Sequence, residues 1–175
     1  GRLLVLAFAH RSSGVPSAWA AAAHQAGVNL LPDLGEGTVE RIAGQVRALR
    51  RPGDIVLASL HWGGNWGYQI LAEHRRFAQA LIDRASVDVV HGHSSHHPKG
   101  IEVHGGRLVL YGCGDFLNDY EGIGGNAAFR GDLSLMYFVT LDPAGRLRRL
   151  EMVPMQIRRF RLQRAAAADS RWLQA

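Results

Sequence analysis

Ile55-Val56-Leu57-Ala58-Ser59-Leu60-His61-Trp62-Gly63 and Val87-Asp88-Val89-Val90-His91-Gly92-His93-Ser94-Ser95-His96 follow one plan twice. A short apolar run, at Ile55–Leu60 and again at Val87–Val90, reads as a buried strand, and histidine and glycine follow it at once. Between them, Ile70–Ala85 has the spacing of a helix with Ile70, Phe77, Leu81 and Ile82 on its apolar side. The loop Trp62–Tyr68 holds three glycines. Upstream, Leu3–Ala9 is another strand-sized apolar run. Ser12–Pro16 has turn composition, Trp19–Gln25 reads as a short helix or a loop, and Gly27–Gly37 as irregular. Thr38 is placed to cap a helix running to about Arg50, with Val39, Ile42, Val46 and Leu49 on one face, stopped by Arg51-Pro52-Gly53-Asp54.

Downstream the pattern changes to hairpins. Ile101–Val103 and Leu108–Tyr111 flank His104-Gly105-Gly106-Arg107; Leu133–Leu141 and Arg146–Val153 flank Asp142-Pro143-Ala144-Gly145. Ile157–Leu162 reads as one more strand and Ala165–Ala175 as a weakly helical tail. The order predicts a layered α/β domain over residues 1–164, with antiparallel pairing in its second half and a tail at 165–175. In such sheets ligands bind beyond the carboxyl ends of the strands, where His61, His91–His93 and Asp115 fall.

Six of the nine histidines stand at positions 61, 91, 93, 96, 97 and 104. Neutral imidazole is the commonest protein ligand for transition metals, and imidazoles from separate segments converge readily on an ion. His61, His93 and His96 are the metal-ligand candidates. Two ligands of one zinc place their nitrogens about 3–4 Å apart, so these rings are expected around one pocket. The bland alternative is a polar surface loop. His91 and His97 are orienting groups or simple neighbours. His104 is expected in solvent at a hairpin tip, and His10, His24 and His74 receive no role. Asp115, between Gly114 and Phe116, either orients a metal-bound histidine and handles a proton, or caps a turn. Asn118, Asp119 and Glu121 follow in a polar loop expected to line the pocket.

Several classes are excluded. Cys113 is the one cysteine, so an internal disulfide and a multi-cysteine zinc site are both ruled out. No G-x-S-x-G elbow surrounds Ser94 or Ser95, and the glycines of 122–125 lack the Lys-Ser/Thr ending of a phosphate loop. The net charge is +5, yet seven arginines crowd between Arg146 and Arg164 without the interleaved aromatics of a stacking platform. A solvated arginine face on strands is expected there rather than a nucleic-acid partner.

Ser59-Leu60-His61-Trp62-Gly63, Asp88–His96 with its Gly-His-x-x-His, and Gly100-Ile101-Glu102 followed by Leu110–Phe116 resemble, in order and spacing, the CapA-type proteins of capsule and poly-γ-glutamate biosynthesis. The resemblance covers about Val28 to Val153. It implies a relative of calcineurin-like metallophosphatases: a four-layer α/β/β/α sandwich with two divalent ions (Mn, Fe or Zn), His61, His93 and His96 at ligand positions, and Asp115 as an orienting or proton-handling group where the family often has Asn. The substrate would be an anionic polymer or a phosphoester. The family's upstream aspartate, glutamate or asparagine, and histidine motifs find no counterpart before His61, and the chain opens inside an apolar strand. The expectation is therefore the C-terminal half of a bacterial cell-envelope or cytoplasmic protein, in which membrane association would come only through a region upstream of Gly1. Alone, the half is expected to be inactive and marginally stable. The resemblance is compatible with an enzyme and with a non-catalytic polymer-handling component.

Overall fold

The computed structural model describes residues 1–118 and 126–174; Asp119 and Glu121 and the glycines of 122–125 lie outside them. The elements in chain order are β1 (Leu3–His10), β2 (Leu30–Leu31), α1 (Glu36–Leu49), β3 (Ile55–His61), α2 (Ala72–Ala85), β4 (Val89–His93), β5 (Ile101–His104), β6 (Arg107–Leu110), β7 (Leu133–Leu141), β8 (Leu147–Arg158), β9 (Arg161–Arg164) and α3 (Ala167–Trp172). A six-stranded sheet has the order β2-β1-β3-β4-β6-β5, and a three-stranded sheet the order β7-β8-β9. β1, β2, β3, β4 and β6 pair in parallel. β5 joins β6 as an antiparallel hairpin, and the smaller sheet is antiparallel throughout.

The continuous apolar runs are explained by two covered faces, because successive strand residues point to opposite sides. Val56, Ala58 and Leu60 of β3, with Val90 and Val109, enter a core with Val39, Ile42 and Val46 of α1 and Phe77 and Leu81 of α2. Their neighbours Leu57, Val89, Leu108 and Leu110 face Tyr137, Leu141, Leu147 and Leu150 on the second sheet. The described layers are thus helices, mixed sheet and antiparallel sheet. The second sheet does not reach across β1. Leu3 and Val5, whose register partners are Ile55 and Leu57, remain 61% and 55% exposed.

Several boundaries differ from the sequence reading for identifiable reasons. α1 begins at Glu36 with Gly35 at the N-cap position, so Thr38 lies inside the first turn; Asp33 Oδ1 ties this start down, accepting from the Gly35 N–H at 2.8 Å and from the Thr38 hydroxyl at 2.7 Å. Of the two readings of Trp19–Gln25, helix or loop, the structure has the loop, a tight return with Ala21 N–H donating to Val28 O and Ala22 exchanging hydrogen bonds with Gln25. β8 continues to Arg158; Arg159 and Phe160 take left-handed conformations (φ 50 and 57) and turn the chain into β9, so Ile157–Leu162 is a hairpin bend and not one strand. The arginine-rich stretch lies on this sheet, where Arg148 and Arg149 are largely exposed and pair with Asp142 and Glu151. At the opposite end of the main sheet from the histidines, fully buried Asp88 accepts from the Val56 N–H at 2.8 Å, from Arg50 and from Arg107.

Candidate functional site

β3 and β4 place four polar side chains on one face of the sheet. Ser59 is the register partner of His91, and His61 of His93. All four occupy alternate positions, on the side facing away from α1 and α2, so they form a two-by-two array at the carboxyl end of adjacent parallel strands. The histidines lie inside β4, which runs to His93, and not in a loop after Val90. The sharp turn comes at Ser94, with φ 114.

Gly92 therefore serves close approach and not a bend. A Cβ there would come within 2.5 Å of Tyr111 O, 2.6 Å of Trp62 Nε1 and 2.7 Å of Leu110 O. Trp62 lies under it, donating Nε1–H to Tyr111 O at 3.2 Å, and stacks on His74 at 4.6 Å between ring centroids. The His-Trp-Gly and Gly-His sequences are thus one packing unit: the indole of the first occupies the space that the glycine of the second leaves.

His61 Nδ1 and His93 Nδ1 lie 3.0 Å apart. Ser59 Oγ is 3.2 Å from His93 Nε2 and 3.2 Å from His91 Nδ1. With the His93 proton on Nε2, donated to Ser59, His93 Nδ1 presents a lone pair to His61, and the gap between the rings holds one proton. Burial keeps this array neutral. It pushes the His93 imidazole down to about 4, helped by the neighbouring His61 and His91 rings. Burial also lowers His61, with a smaller contribution from His96, and lowers His91. The pair borders a cavity of about 570 Å³ lined also by Ala7, Ala9, Trp19 and Asn29.

His96 is held differently. Its Nδ1 lies 3.0 Å from Asp115 Oδ2 and 3.1 Å from Oδ1, and Trp66 packs against its ring. Asp115 thus holds a histidine, which leaves the His96 Nε2 as the ring's free donor atom. His97 is fully buried: its Nδ1–H donates to Pro98 O at 2.9 Å and the ring stacks on Phe129. It is a core histidine here. His104 is half-buried and pairs with the Asp83 carboxylate at 2.9 Å, in place of the solvated tip expected from sequence. Burial raises the Cys113 thiol to about 12, which suits a packing role.

Ser59 and His91 had not been singled out as a pair with His61 and His93, yet Ser-x-His and His-x-His at strand ends carry the period-two signal that groups them. Among the described residues no three His, Cys, Asp or Glu side chains stand together as a complete metal-holding set. The donor chemistry fits a metal in part. Two neutral imidazole nitrogens 3.0 Å apart need only a small opening to reach the roughly 3.4 Å span of two tetrahedral zinc ligands.

These observations define a layered α/β protein whose histidines line the carboxyl ends of adjacent parallel strands. A family model described as "Bacterial capsule synthesis protein PGA_cap" matches residues 1–120, and the chain belongs to this family, that of the CapA-type proteins. A "Probable polyglutamine synthesis accessory protein", found in two Mycobacterium tuberculosis strains, is 50% identical over 174 residues, covering 98% of this chain and 46% of the relative. The "PGA biosynthesis protein CapA" of Bacillus subtilis is 29% identical over 108 residues, covering 62% of this chain and 26% of the relative. The chain spans about half the length of the mycobacterial relatives it matches. Among the described residues no helix is long and apolar enough to cross a membrane.

Proposed function

We propose that the full-length protein is a metal-dependent hydrolase-like component of capsule or poly-γ-glutamate biosynthesis, with His61, His93 and His96 as metal donors. The observation that carries this reading is the His61–His93 pair, two neutral imidazoles meeting nitrogen to nitrogen at 3.0 Å on neighbouring strands. A cation held in that gap would take the Nδ1 lone pairs of both rings, with the His61 proton moved to its Nε2, and neutral imidazole is the form that binds metal. Bound divalent ions (Mn, Fe or Zn) would supply the Lewis acidity that cleavage of a phosphoester or similar linkage requires. The chain's own residues do the positioning: Ser59 fixes the His93 tautomer, and Asp115 orients His96 and is the group placed to carry a proton. The remaining donors come from the part of the protein beyond the span matched here. In the same reading, that part covers the open face of β1 at Leu3 and Val5 and completes a four-layer sandwich.

The test is metal analysis and phosphodiester turnover of the full-length protein beside His61→Ala and His93→Ala. Stoichiometric metal in the parent and its loss in both variants are expected; a metal-free, folded parent sinks the reading. A second reading is favoured by the word "accessory" in the name of the mycobacterial relative. In it the protein handles an anionic polymer without cleaving it, its exposed arginines attracting the chain. Metal retention with no turnover of any phosphoester or glutamyl polymer would select it.

A further inference from the structure

Arg158 of β8 is the register partner of Arg161 of β9, so only Arg159 and Phe160 lie between the two strands. Both have positive φ, 50 and 57, as a two-residue hairpin turn requires, and such turns ordinarily carry Asn-Gly. Here both positions hold large side chains. Phe160 is 62% exposed at the tip, and Arg158, Arg159, Arg161 and Arg164 are exposed around it. Ile157 takes the buried side of β8, which leaves Arg158 and Arg161 together on the outward side, one opposite the other. Like charges directly opposite on paired strands are destabilising.

No acid offsets them. Elsewhere on this sheet Arg148 and Arg149 meet Asp142 and Glu151. At the base of the hairpin Asp132 accepts from Gln156 Nε2 at 2.9 Å, but both its oxygens also take Arg130, which holds Asp169 as well. Among the described residues no carboxylate pairs with Arg158, Arg159, Arg161 or Arg164.

The tip projects from the end of the molecule that carries the histidines. Gln156 is the register partner of Leu133, and Gly131, two residues before Leu133, lies against His96: a Cβ there would be 3.2 Å from His96 O. Beyond Gln156 the hairpin runs about 7–10 Å further. The other end of this sheet, at Asp142, borders Gly1 and Gly53. Val139 and Leu141 of β7 border Leu3, so the open face of β1 lies toward the β7 edge of the smaller sheet, away from β9.

We infer that the β8–β9 hairpin docks on an anionic lipid surface, its arginines on the headgroup phosphates and the Phe160 ring in the apolar layer beneath them. Guanidinium forks match phosphate oxygens, and long basic side chains keep their charge at headgroup level while an aromatic tip goes deeper. A soluble anionic polymer would use the arginines equally but gives the exposed ring nothing to enter. The contact is peripheral and lies within the chain, whereas the sequence placed membrane association only upstream of Gly1. Docked in this way, the protein turns the rim of His61, His93 and His96 toward the surface, where a substrate held there would meet it. That consequence rests on the function proposed above; the docking does not.

The experiment measures cosedimentation of the full-length protein with vesicles of mixed phosphatidylglycerol and phosphatidylcholine, and with vesicles of phosphatidylcholine alone. A preference for the first, falling with salt, is expected. Each arginine near such a surface contributes about fivefold, so Arg158→Gln with Arg161→Gln should weaken binding about thirtyfold. Phe160→Asn removes the ring with a residue that accepts positive φ, and should weaken binding about tenfold. Arg41→Gln with Arg76→Gln, an equal loss of charge at exposed positions of α1 and α2, should bind as the parent does. Brominated lipid should quench the added indole of Phe160→Trp beyond the quenching seen in the parent, a readout that stands even if a region upstream of Gly1 also anchors the protein. Quenching no greater than in the parent, or equal weakening in the Arg41→Gln with Arg76→Gln control, overturns the docking. So does arginine-dependent binding of soluble polyglutamate by a protein that ignores the vesicles, which would assign the hairpin to a polymer. None of these readouts involves metal or turnover, so failure here and failure of the hydrolase reading are separately visible.

Discussion

Replacing Gly92 by alanine in the full-length protein would place a methyl group within 2.5 Å of Tyr111 O, 2.6 Å of Trp62 Nε1 and 2.7 Å of Leu110 O. Two of these atoms are backbone on the adjoining strand and its extension, and the third belongs to an indole stacked between His74 and Tyr111. None is the free end of a flexible side chain. Relief requires β4 to move from β6 or Trp62 to tilt, which breaks its hydrogen bond to Tyr111 O. Overpacking of this kind costs about 1–3 kcal/mol, and the lost hydrogen bond about 1 kcal/mol. The lower strand entropy of alanine returns about 0.5–1 kcal/mol. A net loss of about 2 kcal/mol corresponds to a fall in melting temperature of about 4–8 °C. Differential scanning calorimetry measures it, with Gly64→Ala as control, since the nearest atom to a Cβ there is 3.9 Å away. The environment of Trp62 should change too, visible as a shift in tryptophan emission. If Gly92→Ala melts with the parent, the glycine is not required for close packing and the account of His-Trp-Gly and Gly-His as one unit is wrong.

Gly44, in the interior of α1 with only the end of Arg47 near its missing side chain, should accept alanine with a gain of about 1 kcal/mol; a melting temperature that falls would contradict this. Burial lowers the pKa of His61, His74, His91, His93 and His97 in the folded chain. The unfolded chain therefore binds more protons between the ordinary histidine value near 6.5 and the His93 value of about 4, and stability present above pH 6.5 should be lost progressively as pH falls through that window. Urea unfolding at stepped pH measures it; a flat profile from pH 7 to 4 would count against neutral buried rings. Asp115→Asn should lower metal affinity by about 10–100-fold while leaving the fold intact, because the carboxylate acts on His96 from behind; unchanged metal content and affinity would confine Asp115 to a structural turn.

The two-layer logic of the main sheet was legible because a strand buried on both sides shows as a continuous apolar run, and Ile55–Leu60 does; Leu3–Ala9 shows the same run although Leu3 and Val5 are exposed on one face. The start of α1 was misplaced because Thr38 is a good cap in sequence, and only the fold shows its hydroxyl inside the first turn, donated to Asp33. The constraint on Gly92, the indole of Trp62 from thirty residues earlier, is a tertiary contact that spacing cannot reveal. His97 shows the same limit. In sequence it is an orienting group or a neighbour, and only the fold sends its ring to Phe129 while that of His96 meets Asp115.

His61 and His93 are register partners on adjacent parallel strands, so the distance between their backbones is the strand spacing of about 4.8 Å. Loop motion does not tune that distance; it is as stiff as the sheet. A donor pair mounted in this way has little freedom left to lose when it captures a ligand, and little freedom to adapt to one of the wrong radius. A single-residue insertion or deletion in either strand would turn one imidazole through to the helical side. The chemistry of this rim is therefore indexed to the hydrogen-bond ladder itself, and a frame change of one position would erase it while leaving both histidines in the sequence.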